Sequence, residues 1–514
     1  MCASTTPAMS SVAQWWASAW APSPAGSPVP FWPSHHVTRP RHRTTRLTYP
    51  HMHMADLPAF ENKMSDAEGL MWRMEKDPHL SSTFANVTIL DKRPDMDRFL
   101  RVMDRATMVV PRLRQRVQSA PANLTAPTWV DDSNFDIHYH VRHLALPKPG
   151  TLRQLLDLAS LITADPFDRT RPLWQFVVVE GLRGGKCALI EKLHHTITDG
   201  EGGVQLSLEF LDFAADAPER PPVDPDTIAA AQERAAPSGS DTLRDLLAGS
   251  LRMPLGLLRQ VRDLIADPTQ LPGAGNAAAD TVRGIISQLS DVEQAHSPLW
   301  TQRSLKRRIE VLRAPYAETR AAATKLGGKL NTAFLTAAAE AASRYHTAMG
   351  EPTDTLRASM AISTRSESSG ANAFSLVRMV VPTGPMSVAD RFRQINEASQ
   401  AARDGTPPAS LETLAAVAAS LPTSLVTRLA RTQAHTVDFA TSNVRGAPVP
   451  LYLAGAKVLE NYPVGPLGGV AFNLTLLSYL GSLDMGLNID TAAVADPELL
   501  HRCLIGAFKD LLAV

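Results

Sequence analysis

Two apolar runs of strand length constrain this chain most. Trp174 to Glu180 (WQFVVVE) and Cys187 to Leu193 (CALIEKL) flank a turn containing Arg183-Gly184-Gly185. Such a pair reads as two strands joined by a turn. The second run leads directly into His194-His195-Thr196-Ile197-Thr198-Asp199-Gly200, and Gly200 to Phe213 carries a helical period. Asp199 is placed to cap that helix, so Gly200 opens it. A strand that passes through a short turn into a helix needs both elements packed in layers. The surrounding chain is therefore mixed α/β.

The same alternation extends in both directions. Ser65 and Glu68 have the spacing of a capping box and start a short helix reaching about Lys76. Phe84 to Asp91 alternates as a strand, Met96 to Val109 is amphipathic, Phe135 to Val141 reads as a further strand, and Thr151 to Ala164 as a helix. Beyond residue 305, Arg308 to Leu312, Leu356 to Thr364, Leu376 to Val381, Phe439 to Val444, Val470 to Ser478 and Asp484 to Ile489 read as strands. The helices there are Tyr316 to Leu326, Asn331 to Thr347, Ala389 to Arg403 and Pro497 to Leu512. The order echoes the first half, which suggests two similar lobes spanning residues 60–225 and 301–514. Residues 226–300 read as a linker with connecting helices.

Charge and composition narrow the function. Lys and Arg total 51, and so do Asp and Glu. That balance argues against a nucleic-acid partner. Three dispersed cysteines, Cys2, Cys187 and Cys503, provide no disulfide framework and no paired thiolates for zinc. No run is long and apolar enough to span a bilayer. Leu243, Leu246, Leu247, Leu251, Leu255 and Leu258 fall at helical spacing among arginines, and the segment 243–265 reads either as a membrane-surface helix or as one packed on the protein. The apolar stretch Thr413 to Thr427 is a second candidate for surface contact. Residues 1–55 hold four arginines and no acid. They read as a disordered extension, or as sequence upstream of a later start such as Met52, Met54 or Met64; a targeting segment is the alternative. Without them the chain is mildly acidic, so attraction to a lipid surface has to come from apolar stripes or local arginine clusters.

The His-His turn is where chemistry is expected. A strand end is rigid, a turn exposes side chains, and a helix start offers free N–H groups. Histidine there can act as a general base, because its pKa lies near working pH. A purely structural histidine and a metal ligand are the alternatives. Neighbours on a strand point to opposite faces, so His194 and His195 cannot easily share one ion.

With these residues in view, HHTITDG resembles the HHxxxDG signature of condensation-type, coenzyme-A-dependent acyltransferases. Pro166 to Trp174 (PFDRTRPLW) resembles the segment that precedes it in the bacterial wax ester synthase/diacylglycerol acyltransferase family, and Thr441 to Gly446 (TSNVRG) resembles that family's later motif. Asn331-Thr332 stands where the family has an Asn-Asp pair, and Ser478 to Gly481 resembles a late SYxG element. The likeness covers about residues 64–514, with the motifs in order. It implies two chloramphenicol acetyltransferase-like α/β sandwich lobes with a central channel. It further implies His195 as general base with His194 assisting, Asp199 in a mainly structural role, and substrate contacts at Gly200, Asn331, Ser442 and Asn443.

The same resemblance implies acyl-CoA as co-substrate, a lipid alcohol as acceptor, no metal and no bound cofactor. A peripheral position at the inner face of the plasma membrane or on lipid droplets is the expected location. Two residues depart from the family pattern: Thr332 removes a charge, and Arg445 replaces a proline. The residue-level alternatives are ordinary: Asn331 as a helix N-cap, Ser442-Asn443 as a strand-end turn, Pro172 to Trp174 as packing, and Cys187 as a buried apolar residue. Rival functions are amide formation on carrier-bound acyl groups and a non-catalytic lipid-binding relative.

Overall fold

The computed structural model describes residues 62–119, 126–198, 200–224, 295–363, 374–404, 415, 418 and 423–514. The 1–55 extension, most of the 226–300 linker, the 243–265 stretch, much of 413–427 and Asp199 lie outside the described residues. The first half runs α1 (Asp66–Met74), β1 (Thr83–Leu90), α2 (Met96–Val109), β2 (Gln115–Gln118), β3 (Thr128–Asp131), the single turn α3 (Ile137–His140), β4 (Val141–Ala145), α4 (Leu152–Ala164), β5 (Trp174–Leu182), β6 (Lys186–His194) and α5 (Gly200–Ser207). The second half begins with β7 (Arg307–Pro315), α6 (Tyr316–Lys325), α7 (Leu330–Ala348), β8 (Thr355–Ser363), β9 (Phe374–Pro382), α8 (Val388–Asp404) and α9 (Thr423–Ala434). It ends with β10 (Phe439–Arg445), β11 (Tyr452–Leu453), β12 (Ala456–Val464), β13 (Phe472–Tyr479), β14 (Ser482–Asp490) and α10 (Pro497–Ala513).

Two six-stranded mixed sheets organise these elements, in the orders β11-β12-β1-β6-β5-β4 and β7-β14-β13-β10-β8-β9. In the first, β6 lies antiparallel to both β1 and β5. Ala85, Val87 and Ile89 of β1 and Ala188 and Ile190 of β6 share one face, where α4 covers them with Leu155, Leu156 and Ala159. The second sheet is backed by α7 and α10, whose Ala- and Leu-rich faces form the larger core. Local signals explain the helices. Ser65 and Glu68 close the reciprocal capping box. Asp95 caps α2, placing Phe99, Met103 and Ala106 on its buried side.

One sequence reading needs correction. Phe135 to Val141 is not a strand: Asp136 accepts the His138 N–H at 2.9 Å, which winds Ile137–His140 into a turn, and β4 begins only at Val141. Strands β11 and β12, which the sequence reading left unassigned, belong to the first sheet, β12 lying antiparallel to β1. The crossing strand is held to the second sheet by polar side chains of β13 and β14. The Asn461 N–H donates to Asp484 at 2.8 Å, the Gly465 N–H to Thr475 at 3.2 Å, and the Asn488 amide to the Gly465 carbonyl at 2.9 Å. Gly486 allows this approach, since a Cβ there would sit 2.1 Å from the Pro463 oxygen.

Candidate active site

The His-His turn sits where three strands end together. The His194 N–H donates to the Leu173 carbonyl and the His195 N–H to the Ser82 carbonyl, both at 3.1 Å, while the Ile197 N–H closes the turn on His194 at 2.9 Å. The backbone of both histidines is thus tied to chain on either side of β6.

The two rings part, as adjacent strand residues must. His194 is buried at 1% exposure, on the α4 side of the sheet. Its Nδ1 receives the Thr196 N–H at 3.1 Å and lies 2.8 Å from the Thr196 hydroxyl. An accepting Nδ1 puts the ring proton on Nε2, which lies 3.0 Å from a Glu75 carboxylate oxygen. Both ring nitrogens are therefore engaged inside the protein. Glu75 also accepts from the Ser81 hydroxyl at 2.6 Å and the Ser82 N–H at 2.8 Å. Burial works against its charge, but the hydrogen bond from His194, with the Ser81 and Ser82 donors, holds its carboxyl below the usual range.

His195 occupies the opposite face, half-buried, with its ring 4.6 Å from that of Phe84. Gly200 opens α5, and Gly203 on that helix brings the backbone close to the Phe84 ring. Helix α5 packs against β10, the strand that carries Ser442 and Asn443. The His-His turn and the second-lobe motif are therefore joined through one helix. Among the described residues, no group of three His, Cys, Asp or Glu side chains is placed to hold a metal ion.

The second-lobe residues also differ from their ordinary alternatives. Lys329 is the N-cap position of α7, so Asn331 lies inside the helix rather than capping it. Ser442 and Asn443 sit within β10, paired in parallel with Thr475 and Leu476, not in a strand-end turn. The Asn443 side-chain amide donates to Oδ1 of Asn331, joining two of the four expected contact positions. Thr332 is buried and its hydroxyl bonds Asn396 of α8 at 3.1 Å. Arg445 is exposed at the end of β10, so its charge reaches water. The next residue must be small, because a Cβ on Gly446 would lie 2.3 Å from the Ser478 carbonyl. Leu173 and Trp174 are packing residues: the Trp174 indole donates to the Leu113 carbonyl at 2.8 Å and stacks on His140. Cys187 is buried, its thiol pushed up to about 11 by burial.

The wax ester synthase/diacylglycerol acyltransferase catalytic domain, as a family model, matches residues 51–334, and the C-terminal domain of the same family matches 370–512. The chain belongs to the wax ester synthase/diacylglycerol acyltransferase family. A Mycobacterium tuberculosis H37Rv protein described as a candidate diacylglycerol O-acyltransferase is 32% identical over 469 residues, covering 89% of this chain and 93% of its own. Another from that strain, tgs1, also described as a candidate diacylglycerol O-acyltransferase, is 28% identical over 466 residues, covering 87% and 94%. Among solved structures, the wax ester synthase/diacylglycerol acyltransferase of Marinobacter aquaeolei VT8 is similar in fold, with a TM-score of 0.59 at 21% identity over 87% of this chain and 98% of that one. The starter condensation domain of rhizomide synthetase, solved with C8-CoA, gives a TM-score of 0.52 at 13% identity, covering 88% and 94%. The two-lobed α/β architecture expected from the resemblance is the one this family shares.

Sequence reasoning missed Glu75. It lies 119 residues before His194, at the end of a helix, and no local spacing links the two.

Proposed function

We propose that this chain is an acyltransferase that moves a long-chain acyl group from acyl-CoA to a lipid alcohol, either diacylglycerol or a fatty alcohol. The observation that carries this reading is the division of labour between the two histidines. His194 has both ring nitrogens engaged by Glu75 and Thr196, which makes it a brace for the turn. His195, on the other face beside Phe84 and α5, is the ring placed to serve as general base. His195 removes the proton as the acceptor hydroxyl attacks the thioester carbonyl. The resulting oxyanion needs preplaced donors, and the linked Asn331-Asn443 pair is the candidate set, Ser442 pointing to the other face of β10. The C–S bond then breaks, and the coenzyme A thiolate recovers the proton from His195. The ester is formed without an acyl-enzyme.

A lipid product places the work at a membrane or lipid-droplet surface. Among the described residues, no helix is long and apolar enough to cross a membrane, which fits peripheral contact. Liposome flotation tests this: protein that stays at the bottom of the gradient refutes it. The reaction is tested by incubating purified protein with radiolabelled palmitoyl-CoA and either diacylglycerol or hexadecanol, then separating lipids by thin-layer chromatography. His195→Ala is expected to abolish the labelled ester while leaving the circular dichroism melt unchanged. Near-normal turnover by that variant would refute the base assignment.

A further inference from the structure

The face of the first sheet that carries His195 is apolar apart from one polar island. Strand alternation puts Glu191 on that face, four residues before His195. Asn86 and Thr88 of β1 and Asn461 of β12 share it, Asn86 directly opposite Glu191 and Thr88 directly opposite Asn461. Phe84, two residues before Asn86, packs its ring on that of His195, so His195 and the island lie on one continuous surface. The other neighbours are apolar. Leu189 and Leu193 flank Glu191 on β6, and Phe176 faces it from β5, all three buried.

The hydrogen bonds of the island leave a particular set of groups over. The Asn86 amide shares its two hydrogens among a Glu191 carboxyl oxygen at 2.8 Å, the Thr88 hydroxyl oxygen at 3.0 Å and Oδ1 of Asn461. The Thr88 hydroxyl donates to that same Asn461 oxygen at 3.3 Å. The second Glu191 oxygen and the Asn461 side-chain nitrogen have no hydrogen-bond partner among the described residues, and no cation pairs with the carboxyl. The Asn86 side-chain oxygen is unpartnered too, but it is fully buried inside the island. Glu191 keeps 8% of its surface open, and Asn461 is half-buried. Burial pushes the Glu191 carboxyl up to about 7, so near neutrality it carries a proton. One oxygen accepts from Asn86, which leaves that proton on the other. Both groups within reach of a ligand are then donors. Because one nitrogen holds both residues, their bonded oxygens lie within about 6 Å of each other, two hydrogen-bond lengths. A buried donor left unmet is costly, and it calls for an acceptor oxygen. The backbone ladders already hold β6, β1 and β12 in register, so strand pairing does not require these side chains.

We infer that this island selects the acceptor: Glu191 and Asn461 donate to the ester oxygens of a diacylglycerol whose free hydroxyl lies at His195. The inference rests on the acyltransferase reading above and narrows it. A fatty alcohol has no second oxygen and leaves both donors unmet. A diacylglycerol carries two esters, which apart from its hydroxyl are acceptors only and so match a pair of donors. The pantetheine amides of the acyl-CoA fit less well, since each would bring an N–H to a subsite that offers donors. Sites that hydrogen-bond a substrate group reject an analogue lacking it more strongly than sites that only fit its shape. The backbone positions of Glu191 and His195 are about 13 Å apart along the strand, a gap that the two side chains and a glycerol diester span together.

The test assays the full chain with palmitoyl-CoA and either dipalmitoylglycerol or hexadecanol, reading the ratio of kcat/KM for the two acceptors. Glu191→Leu removes one donor. Asn461→Asp removes the other and keeps the oxygen that Asn86 and Thr88 bond. Each is expected to lower the ratio about tenfold or more, through a higher KM for dipalmitoylglycerol with hexadecanol little changed. Glu191→Gln keeps an oxygen for Asn86 and an N–H to donate, so it should hold the ratio near that of the wild type. An unchanged ratio in Asn461→Asp overturns the inference, and so does an equal loss for both acceptors, the mark of a merely structural island. That variant decides the matter even if Glu191→Leu fails to fold. Binding of radiolabelled dioleoylglycerol and hexadecanol in detergent micelles separates this inference from the reading beneath it. If the wild type forms no ester, yet Asn461→Asp loses dioleoylglycerol binding and keeps hexadecanol binding, the subsite stands and the acyltransferase reading falls. If no ester forms and Asn461→Asp binds dioleoylglycerol as the wild type does, both fall.

Discussion

Replacing Glu75 tests the brace directly, because two substitutions separate its charge from its geometry. Glu75→Ala leaves the His194 Nε2–H and the Ser82 N–H without their acceptor, while the Ser81 hydroxyl still has Thr83 at 3.1 Å. Each orphaned buried donor costs about 1–3 kcal/mol, so the pair costs about 2–6 kcal/mol. That is a large part of a stability margin of about 5–15 kcal/mol. Glu75→Gln keeps an oxygen for both donors and turns its NH₂ toward the Ser81 oxygen. Only the charge is lost, at about 1 kcal/mol. The pH dependence has a definite sign. The folded carboxyl titrates below its ordinary value of 4.5, so its contribution is complete above that pH and is lost as pH falls through the lower folded value. The wild-type and Gln melts should therefore converge on acidification below pH 4.5. Urea unfolding followed by circular dichroism at pH 7 and at stepwise lower pH measures all three proteins, with ester formation as the activity readout. An Ala variant as stable and as active as the Gln variant would refute the brace.

Other perturbations probe the frame and the core around it. Gly486→Ala puts a Cβ against the Pro463 oxygen and should lower stability by about 1–3 kcal/mol or more, read from the urea midpoint; a neutral result would mean that β12 can slide on the second sheet. Glu191 is buried on the His195 face with the Asn86 amide as its hydrogen-bond partner at 2.8 Å, and burial pushes its carboxyl up to about 7. The folded protein then holds a proton that the unfolded chain releases near 4.5, so wild-type stability should fall as pH rises from 4.5 past 7, by up to about 3 kcal/mol. Glu191→Gln should flatten that slope, and an equally steep Gln variant would count against a protonated Glu191.

What the sequence revealed was local. The β5–β6 runs, the amphipathic α2 and the Ser65–Glu68 box are written in patterns of period two, period 3.6 or fixed cap spacing, and each formed as read. The Phe135–Val141 reading failed because alternation alone cannot weigh a competing Asx-type bond from Asp136. Strand β12 was missed for a different reason. Its partner β1 lies more than 360 residues away, and Pro463 breaks the look of a strand although its position opposite Asn86 is tolerated. Glu75 had the same handicap: an acid at a helix end becomes informative only when the fold brings a buried histidine to it. The motif residues His194, His195, Asn331 and Asn443 were legible as chemistry, and the resemblance already implied separate roles for the two histidines, but the Glu75–His194 and Asn443–Asn331 bonds were not legible.

These long-range contacts explain why the site needs both halves of the chain. Strand β6 presents His195 and is bordered by β1, whose Ser82 and Phe84 neighbourhood fixes the backbone and ring of that histidine. The outer edge of β1 is completed by β12, a segment from beyond residue 450, and α5 reaches β10 in the second sheet. An unpaired β1 edge would leave a row of backbone donors and acceptors open beside His195. The polar side chains on β13 and β14 that hold β12 are therefore as much a part of positioning His195 as the residues that touch it, although none of them comes from its own lobe.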